Sequence, residues 1–331
     1  MKLCVFVTGG SGFVGQHLIR RLAGAGHDVH ALARTEAAAG LVGRAGAEPV
    51  AGNLAELLEG DRPQWTSALH GADAVVHGAA YMAFWGRDDV FRRANLEPSV
   101  ALHRIAAASG VDRFVLISAA SVATGTQRAP IVDEDTGEGQ PNIAYSRIKL
   151  ETERALLTAV TPTMTTVALR PPFIWGAGMS TLDEFVAAVE AGRFSWIDNG
   201  SHIVDFVHVD NLAEAARLAL TRGGTGRAYY VTDGAPMPAR DLFTPLLATK
   251  GVDVGAARSV PSTVAAPLGA LLDAGARLLR RPEPPALTNW ITAFMGRDRS
   301  YDIAAARSEL GYTPTVDLAT GLAEMTRAVA R

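Results

Sequence analysis

A doubly wound α/β fold, a parallel sheet with helices on both faces followed by a smaller, mostly C-terminal lobe, is what this chain of 331 residues predicts. Three observations carry that expectation. Up to Arg170 short apolar runs alternate with stretches of helical periodicity, and the turn between the first run and the first helical stretch is rich in glycine. After Arg170-Pro171-Pro172 the pattern loosens, with proline and glycine interrupting short segments. An apolar content of 48% supports a large core, and the length exceeds one ordinary domain. Two units are expected, residues 1–170 and 171–331.

The elements follow in order. Leu3–Val7, Val29–Ala33, Ala74–His77, Arg113–Ser118 and Thr166–Leu169 read as strands, because they are short, rich in β-branched residues and apolar on both faces. Gln16 to Gly24 carries apolar residues at helical spacing. Asp205-Phe206-Val207-His208-Val209 reads as a short strand leading into a helix over Leu212–Leu220, with Asp210 or Asn211 as its N-cap. Residues 264–280 are amphipathic, interrupted by Asp273 and Arg277, and read as a lid or core helix rather than a membrane-surface anchor. No internal repeat is found, and the one compositional bias is toward alanine.

The glycines lie where a strand turns into a helix. There they allow positive φ and let backbone N–H groups and a helix N-terminus approach a pyrophosphate with no Cβ in the way. Both Gly10-x-Gly12-x-x-Gly15 and Gly9-x-x-Gly12-x-x-Gly15 can be read in this turn. Further on, Tyr145-Ser146-Arg147-Ile148-Lys149 sets a tyrosine and a lysine on one helix face. The chain has three lysines, Lys2, Lys149 and Lys250, and six tyrosines, so that spacing arises by chance about one time in twenty. An ammonium at that distance can stabilise a phenolate, lower the Tyr145 pKa and hold a nicotinamide ribose, while Tyr145 exchanges a proton as hydride moves.

Composition excludes other classes. A net charge of −3 with scattered arginines gives no basic face for nucleic acid, so a small-molecule partner is expected. Cys4 is the one cysteine, which rules out an intrachain disulfide or a cysteine metal site and suits a reducing compartment. No apolar run is long enough to span a bilayer, and a strand beginning three residues from Met1 leaves no room for a signal peptide. A cytoplasmic protein is expected. The histidines show no metal-ligand spacing, and His77 and His208 are read as structural.

Together, the glycine turn and the Tyr-Lys pair some 130 residues later resemble the short-chain dehydrogenase/reductase superfamily. Further segments resemble its extended branch, the epimerase/dehydratase group, and especially the 3β-hydroxysteroid dehydrogenase/isomerase-like members. These are Asp73-Ala74-Val75-Val76-His77-Gly78-Ala79-Ala80, Asn95 as the residue opening the next helix, and Leu169-Arg170-Pro171-Pro172-Phe173-Ile174-Trp175-Gly176. Near the end, Leu310-Gly311-Tyr312-Thr313-Pro314 completes the likeness. The resemblance implies a Rossmann-type nucleotide domain, with residues 203–233 packing back onto it, and a substrate-binding lobe. It implies cofactor contacts from Gly9, Gly12, Phe13, Val14 and Gly15, from Asn53 and Leu54, from Ala79 and Ala80, and from Tyr145, Lys149 and Pro172. It also implies a homodimer through the helices around Val100–Ala108 and Ile148–Leu157.

Three local features refine this reading. Family members carry a catalytic Ser or Thr where this chain has Ala119, or Ala120 if Gly125 is matched instead. Strand alternation puts Ser121 on the face of residue 119 and makes it the favoured substitute, with neighbouring Ser118 as the other candidate. At the end of the second strand the usual acidic residue is Ala33, followed by Arg34, which favours a 2′-phosphate and thus NADP(H), with NAD(H) as the alternative. Met82, Phe84 and Trp85, in a loop after a strand, together with Phe173 and Trp175, are candidate contacts for an apolar or aromatic carbonyl compound; Phe194 and Trp196 are further aromatics of that region. The activity expected is interconversion of a ketone and a secondary alcohol on a hydrophobic, sterol-like, β-keto or aromatic small molecule. The rival readings are an epimerase with tightly bound cofactor and a non-catalytic NADP-binding regulatory protein.

Overall fold

The computed structural model describes residues 1–60, 62–124, 131–133, 139–279, 281, 283 and 288–329. Gly125 and residue 280, both invoked above, lie outside the described residues. The chain runs β1 Cys4–Thr8, α1 Phe13–Gly24, β2 Asp28–Ala33, α2 Glu36–Ala45, β3 Glu48–Ala51, β4 Ala74–His77, α3 Glu97–Ala108 and β5 Arg113–Ile117. It continues with α4 Ala144–Leu157, β6 Thr165–Arg170, α5 Val209–Ala219 and β7 Arg227–Tyr230. The seven strands form one parallel sheet in the order β7-β6-β5-β4-β1-β2-β3, a Rossmann-type arrangement that reverses direction between β1 and β4.

Period-two alternation divides the core cleanly. Val5, Val7, Ala31, Val76, Val115, Ile117, Val167 and Leu169 pack on one face with Leu18, Ile19 and Leu22 of α1 and Leu212 and Ala216 of α5. The residues between them, Phe6, Leu32, Val75, Phe114, Leu116 and Ala168, face Leu102 and Ala106 of α3 and Leu156 of α4. Both faces are buried, which is why these strands read as continuous apolar runs. A second core, built from Trp175, Leu182, Trp196, Phe206, Phe243 and Leu246, holds the C-terminal lobe.

Several elements differ from the expectation. β3 and β7 escape the pattern because Glu48-Pro49 opens one and Arg227 the other, and edge strands tolerate exposed residues. The helix expected from Gln16 begins at Phe13, so Gly15 lies in its first turn. The cap of α5 is His208, whose side chain accepts from Asp210 N–H at 3.3 Å, and neither Asp210 nor Asn211 caps it. Asn211 is buried instead, donating to Asp233 and to the Val316 carbonyl and accepting from Thr315 and Val316 N–H. Asn95 does not open a helix. It sits in a π-helical turn, Arg92–Leu96, between the helix Asp88–Phe91 and α3. Pro98 explains that turn, since it has no N–H for the Ala94 carbonyl and its ring would collide with that carbonyl in a regular helix. Most apolar positions of α3 and α4 that seemed available for a dimer, Leu102, Ala106, Ile148, Leu150 and Leu156, are used in the chain's own core, while Val100 stays exposed. No described helix is long and apolar enough to cross a membrane.

Candidate active site

The carboxyl ends of six strands open into one cavity of about 1200 Å³. A site for one small molecule takes roughly 300–1,000 Å³, so this space suits a dinucleotide with a second ligand. Gly9 to Gly15 enter from β1, Arg34 follows β2, and Asn53 and Leu54 follow β3. Gly78 to Met82 follow β4, Ser118 to Ser121 follow β5, and Pro171 to Ile174 follow β6.

The glycine turn fits a pyrophosphate. Gly9 has φ +75°, and a Cβ on it would lie 2.6 Å from the Ala79 nitrogen; a Cβ on Gly15 would lie 2.0 Å from the Gly9 carbonyl oxygen. Both positions therefore require glycine, as the Gly9-x-x-Gly12-x-x-Gly15 spacing demands. Gly12 sits at the N-cap of α1, with no side chain to cap it and no acidic residue in the first turn. Orphan N–H groups and the positive end of the helix dipole are thus left for an anion. Arg34 is exposed on the wall and has no acidic partner among the described residues. Asn53 turns its Oδ1 to accept from Ala55 N–H at 3.1 Å, which shapes the loop under the same end.

Tyr145 and Lys149 both line the cavity from α4. The expected lowering of the tyrosine pKa is absent: burial pushes Tyr145 up to about 12. Lys149, one helical turn on, donates from its Nζ to the Ile117 carbonyl at 2.8 Å. Burial also drops Lys149 to about 8, against a smaller opposing effect of Glu153. Glu153 is itself locked in a buried ion pair with Arg170.

β5 ends at Ile117, Ala119 is extended, and Ala120–Ala123 form a 3₁₀ turn, so strand alternation does not extend to Ser121. The turn itself, fixed by Ala120 N–H on the Pro171 carbonyl at 2.8 Å, brings Ser121 to the wall. Ser146 Oγ donates to Ser121 Oγ at 2.8 Å, while Ser118 Oγ is buried in the wall without a partner among the described residues. Ser146 went unnoticed in the sequence although it adjoins Tyr145.

Of the expected substrate contacts, Met82, Phe84 and Phe173 line the cavity. Trp85 and Trp175 do not. Trp85 donates to the Arg281 carbonyl, and Trp175 is fully buried in the second core with its Nε1 on Asp233. Trp196 is core as well. Asn95 holds the loop after β4, accepting from Tyr81 N–H at 2.7 Å and donating to its carbonyl at 3.0 Å. The helix Ser262–Leu278 turns Ala265, Ala266 and Ala270 to the cavity and leaves Val264, Leu268 and Leu271 exposed. His77 is buried between Thr8 and Ser99. His208, Asp210 and Glu324 bring ligand-type atoms within 4.8 Å of one another, but His208 Nδ1 is occupied in capping α5.

Residues 5–232 match the family model described as the NAD dependent epimerase/dehydratase family. The chain belongs to that family. It is 34% identical to a 4-hydroxy-2-methyl-3-oxo-4-farnesyl-3,4-dihydroquinoline-1-oxide ketoreductase of Stigmatella aurantiaca, over 96% of this chain and 94% of that protein. It is 33% identical to a 2-alkyl-3-oxoalkanoate reductase of Stenotrophomonas maltophilia, over 96% and 97%. Among solved structures, the dTDP-glucose 4,6-dehydratase DesIV of Streptomyces venezuelae, crystallised with NAD and TYD, shares the fold with a TM-score of 0.75 at 23% identity, covering 99% of this chain and 97% of that one. This member of the epimerase/dehydratase family is an oxidoreductase that interconverts a ketone and a secondary alcohol.

Proposed function

We propose that the protein is an NADP(H)-dependent ketoreductase of a hydrophobic small molecule, with Tyr145 as proton donor to the carbonyl oxygen and Ser121 as the group that orients it. The observation that carries the reading is the convergence of Tyr145, Lys149 and the Ser146–Ser121 pair on one cavity with the uncapped glycine turn. A bound nicotinamide dinucleotide supplies the hydride. With a pKa of about 12, Tyr145 holds its proton at neutral pH, ready to give it up during reduction. The Ser146 proton occupies one lone pair of Ser121, leaving the Ser121 proton to be donated to a carbonyl. Lys149, its Nζ anchored on the Ile117 carbonyl, would hold the nicotinamide ribose.

Arg34, next to Ala33 and without an acidic partner among the described residues, supports the 2′-phosphate of NADP(H). The apolar wall of Met82, Phe84, Phe173 and Phe294 supports a hydrophobic substrate, and two relatives, named for reducing a farnesyl-bearing dihydroquinoline oxide and 2-alkyl-3-oxoalkanoates, agree with it. A homodimer through α3 and α4 and a cytoplasmic location belong to the same reading, supported by exposed Val100 and by the lone, free Cys4. Tyr145→Phe is expected to lower single-turnover reduction at least about a hundredfold while NADPH binding, followed by fluorescence, stays near wild type. Retention of full turnover would remove Tyr145 from this role. Sustained net consumption of NADPH on adding a ketone distinguishes a reductase from an epimerase and from a cofactor-binding regulator.

A further inference from the structure

Ser121 stands on a single 3₁₀ turn, Ala120–Ala123, and one turn has too few internal bonds to hold itself. Val122 N–H donates to the Ala119 carbonyl at 3.2 Å and Thr124 N–H to the Ser121 carbonyl at 3.1 Å. The other carbonyls of the turn reach outside it. That of Val122 accepts from Gly139 N–H at 3.1 Å. The last, on Ala123, accepts from Arg299 Nη1 at 3.2 Å, and the first, on Ala120, accepts from the Tyr301 hydroxyl at a longer 3.5 Å. Both ends of the turn therefore rest on side chains of one short segment, 176 and 181 residues further along the chain. That segment is itself anchored on two sides. Arg299 N–H donates to the Ile203 carbonyl at 2.8 Å and Tyr301 N–H to Asp205 Oδ2 at 3.0 Å, while Ser300 and Tyr301 pair with Ile131 and Val132. Arg299 has no carboxylate partner among the described residues, so its charge is free to strengthen the bond to the Ala123 carbonyl.

We propose that Arg299, with Tyr301 as a weaker second support, is a positioning residue: it holds the Ala120–Ala123 turn by its carbonyls and so keeps the Ser121 hydroxyl directed at the carbonyl that Tyr145 protonates. The proposal rests on the reading of Ser121 as the group that orients the substrate. β5 stops at Ile117, and the hydroxyl in use sits beyond the strand, so the sheet does not fix its place and the turn must be held from across the cavity. Arg299 also lines the cavity, and a direct contact with substrate is the rival role that the test separates.

Hydrogen exchange and a double-mutant cycle test it together. In Arg299→Met the Val122 and Thr124 amides, which close the turn, should exchange at least about tenfold faster while those of α1 keep their rates. With ethyl benzoylacetate as the probe and saturating NADPH, Arg299→Met should lower kcat about fivefold and leave KM within about twofold of wild type. Arg299→Lys, which keeps a charged donor and loses the fork, should recover part of that loss. Tyr301→Phe removes the longer bond and should cost about twofold. Each loss should vanish when Ser121 is already alanine, because nothing is left to position. Unchanged exchange would overturn the proposal. So would equal losses in both backgrounds or a loss confined to KM, which would make Arg299 a direct substrate contact and leave the reductase standing. Full activity in Ser121→Ala would instead remove the reading of Ser121, and the positioning role with it. Should the wild type not reduce the probe, exchange alone decides: faster exchange in Arg299→Met supports the arginine as the prop of this turn, and unchanged exchange overturns it.

Discussion

The two ends of the cavity are made of different materials. At the nucleotide end the working groups are backbone: glycines without a Cβ, the open N-terminus of α1 and strand ends set by the central sheet. At the substrate end they are side chains on a 3₁₀ turn, a two-residue strand and one face of the helix Ser262–Leu278. Backbone geometry is enforced by local sequence and tolerates almost no change. Side-chain geometry depends on partners remote in sequence and can drift, so the missing serine could be replaced by a hydroxyl from another part of the same turn. The first end should therefore respond to mutation in steric terms, the second in chemical ones.

Gly15→Ala should give the largest steric effect, because its Cβ would sit 2.0 Å from the Gly9 carbonyl. A loss of about 3 kcal/mol in urea-unfolding stability, with loss of cofactor binding, is expected. Gly43→Ala in α2, where a Cβ meets nothing within 4 Å, should instead stabilise by about 0.5–1 kcal/mol. If the two substitutions behaved alike, the contrast between a close-approach glycine and an ordinary helical one would fail.

Arg34→Ala tests the charged side chain proposed for the 2′-phosphate. It should reduce the preference for NADPH over NADH by about 2 kcal/mol, read from the two dissociation constants. Equal affinities in the wild type would contradict the assignment.

At the other end, Ser121→Ala should lower turnover about tenfold and Ser118→Ala about threefold, since the first removes a hydroxyl oriented by Ser146 and the second an unpartnered one. The reverse order would make Ser118, whose hydroxyl has no partner among the described residues, the group that orients the carbonyl.

Lys149→Met should cost activity yet raise the stability of the free protein at pH 7 by about 1 kcal/mol, as replacing buried charge often does. The sign follows from linkage. Burial lowers the folded pKa to about 8 from 10.5, so the unfolded chain binds the extra proton between those values and wild-type stability rises with pH across that window. The advantage of the methionine variant should therefore be present below pH 8 and fade as pH rises toward 10.5. Denaturant melts at a series of pH values check it, and an advantage that grew with pH would show that Lys149 is not held charged against a desolvation penalty.

The sequence by itself determined the parallel sheet, the glycine turn and the Tyr145–Lys149 pair, because each is a local pattern. Five strands declare themselves as apolar runs, the close approach requires glycine at fixed offsets, and four residues of helix set a tyrosine over a lysine. The tertiary structure decided everything that depends on what lies opposite. It left Trp175 fully buried and Phe173 on the cavity wall although they share one face of a short strand, because Trp175 meets His208 and Asp233 while Phe173 meets Phe243 and Phe294. It raised the Tyr145 pKa where a charge argument lowers it, because the folded chain buries the phenol. It also ended β5 before Ser121 and brought Arg297 and Arg299 to the same cavity from more than 170 residues away in sequence. Local propensity is written in neighbouring residues, whereas burial and partnership are properties of segments that meet only once the chain has folded.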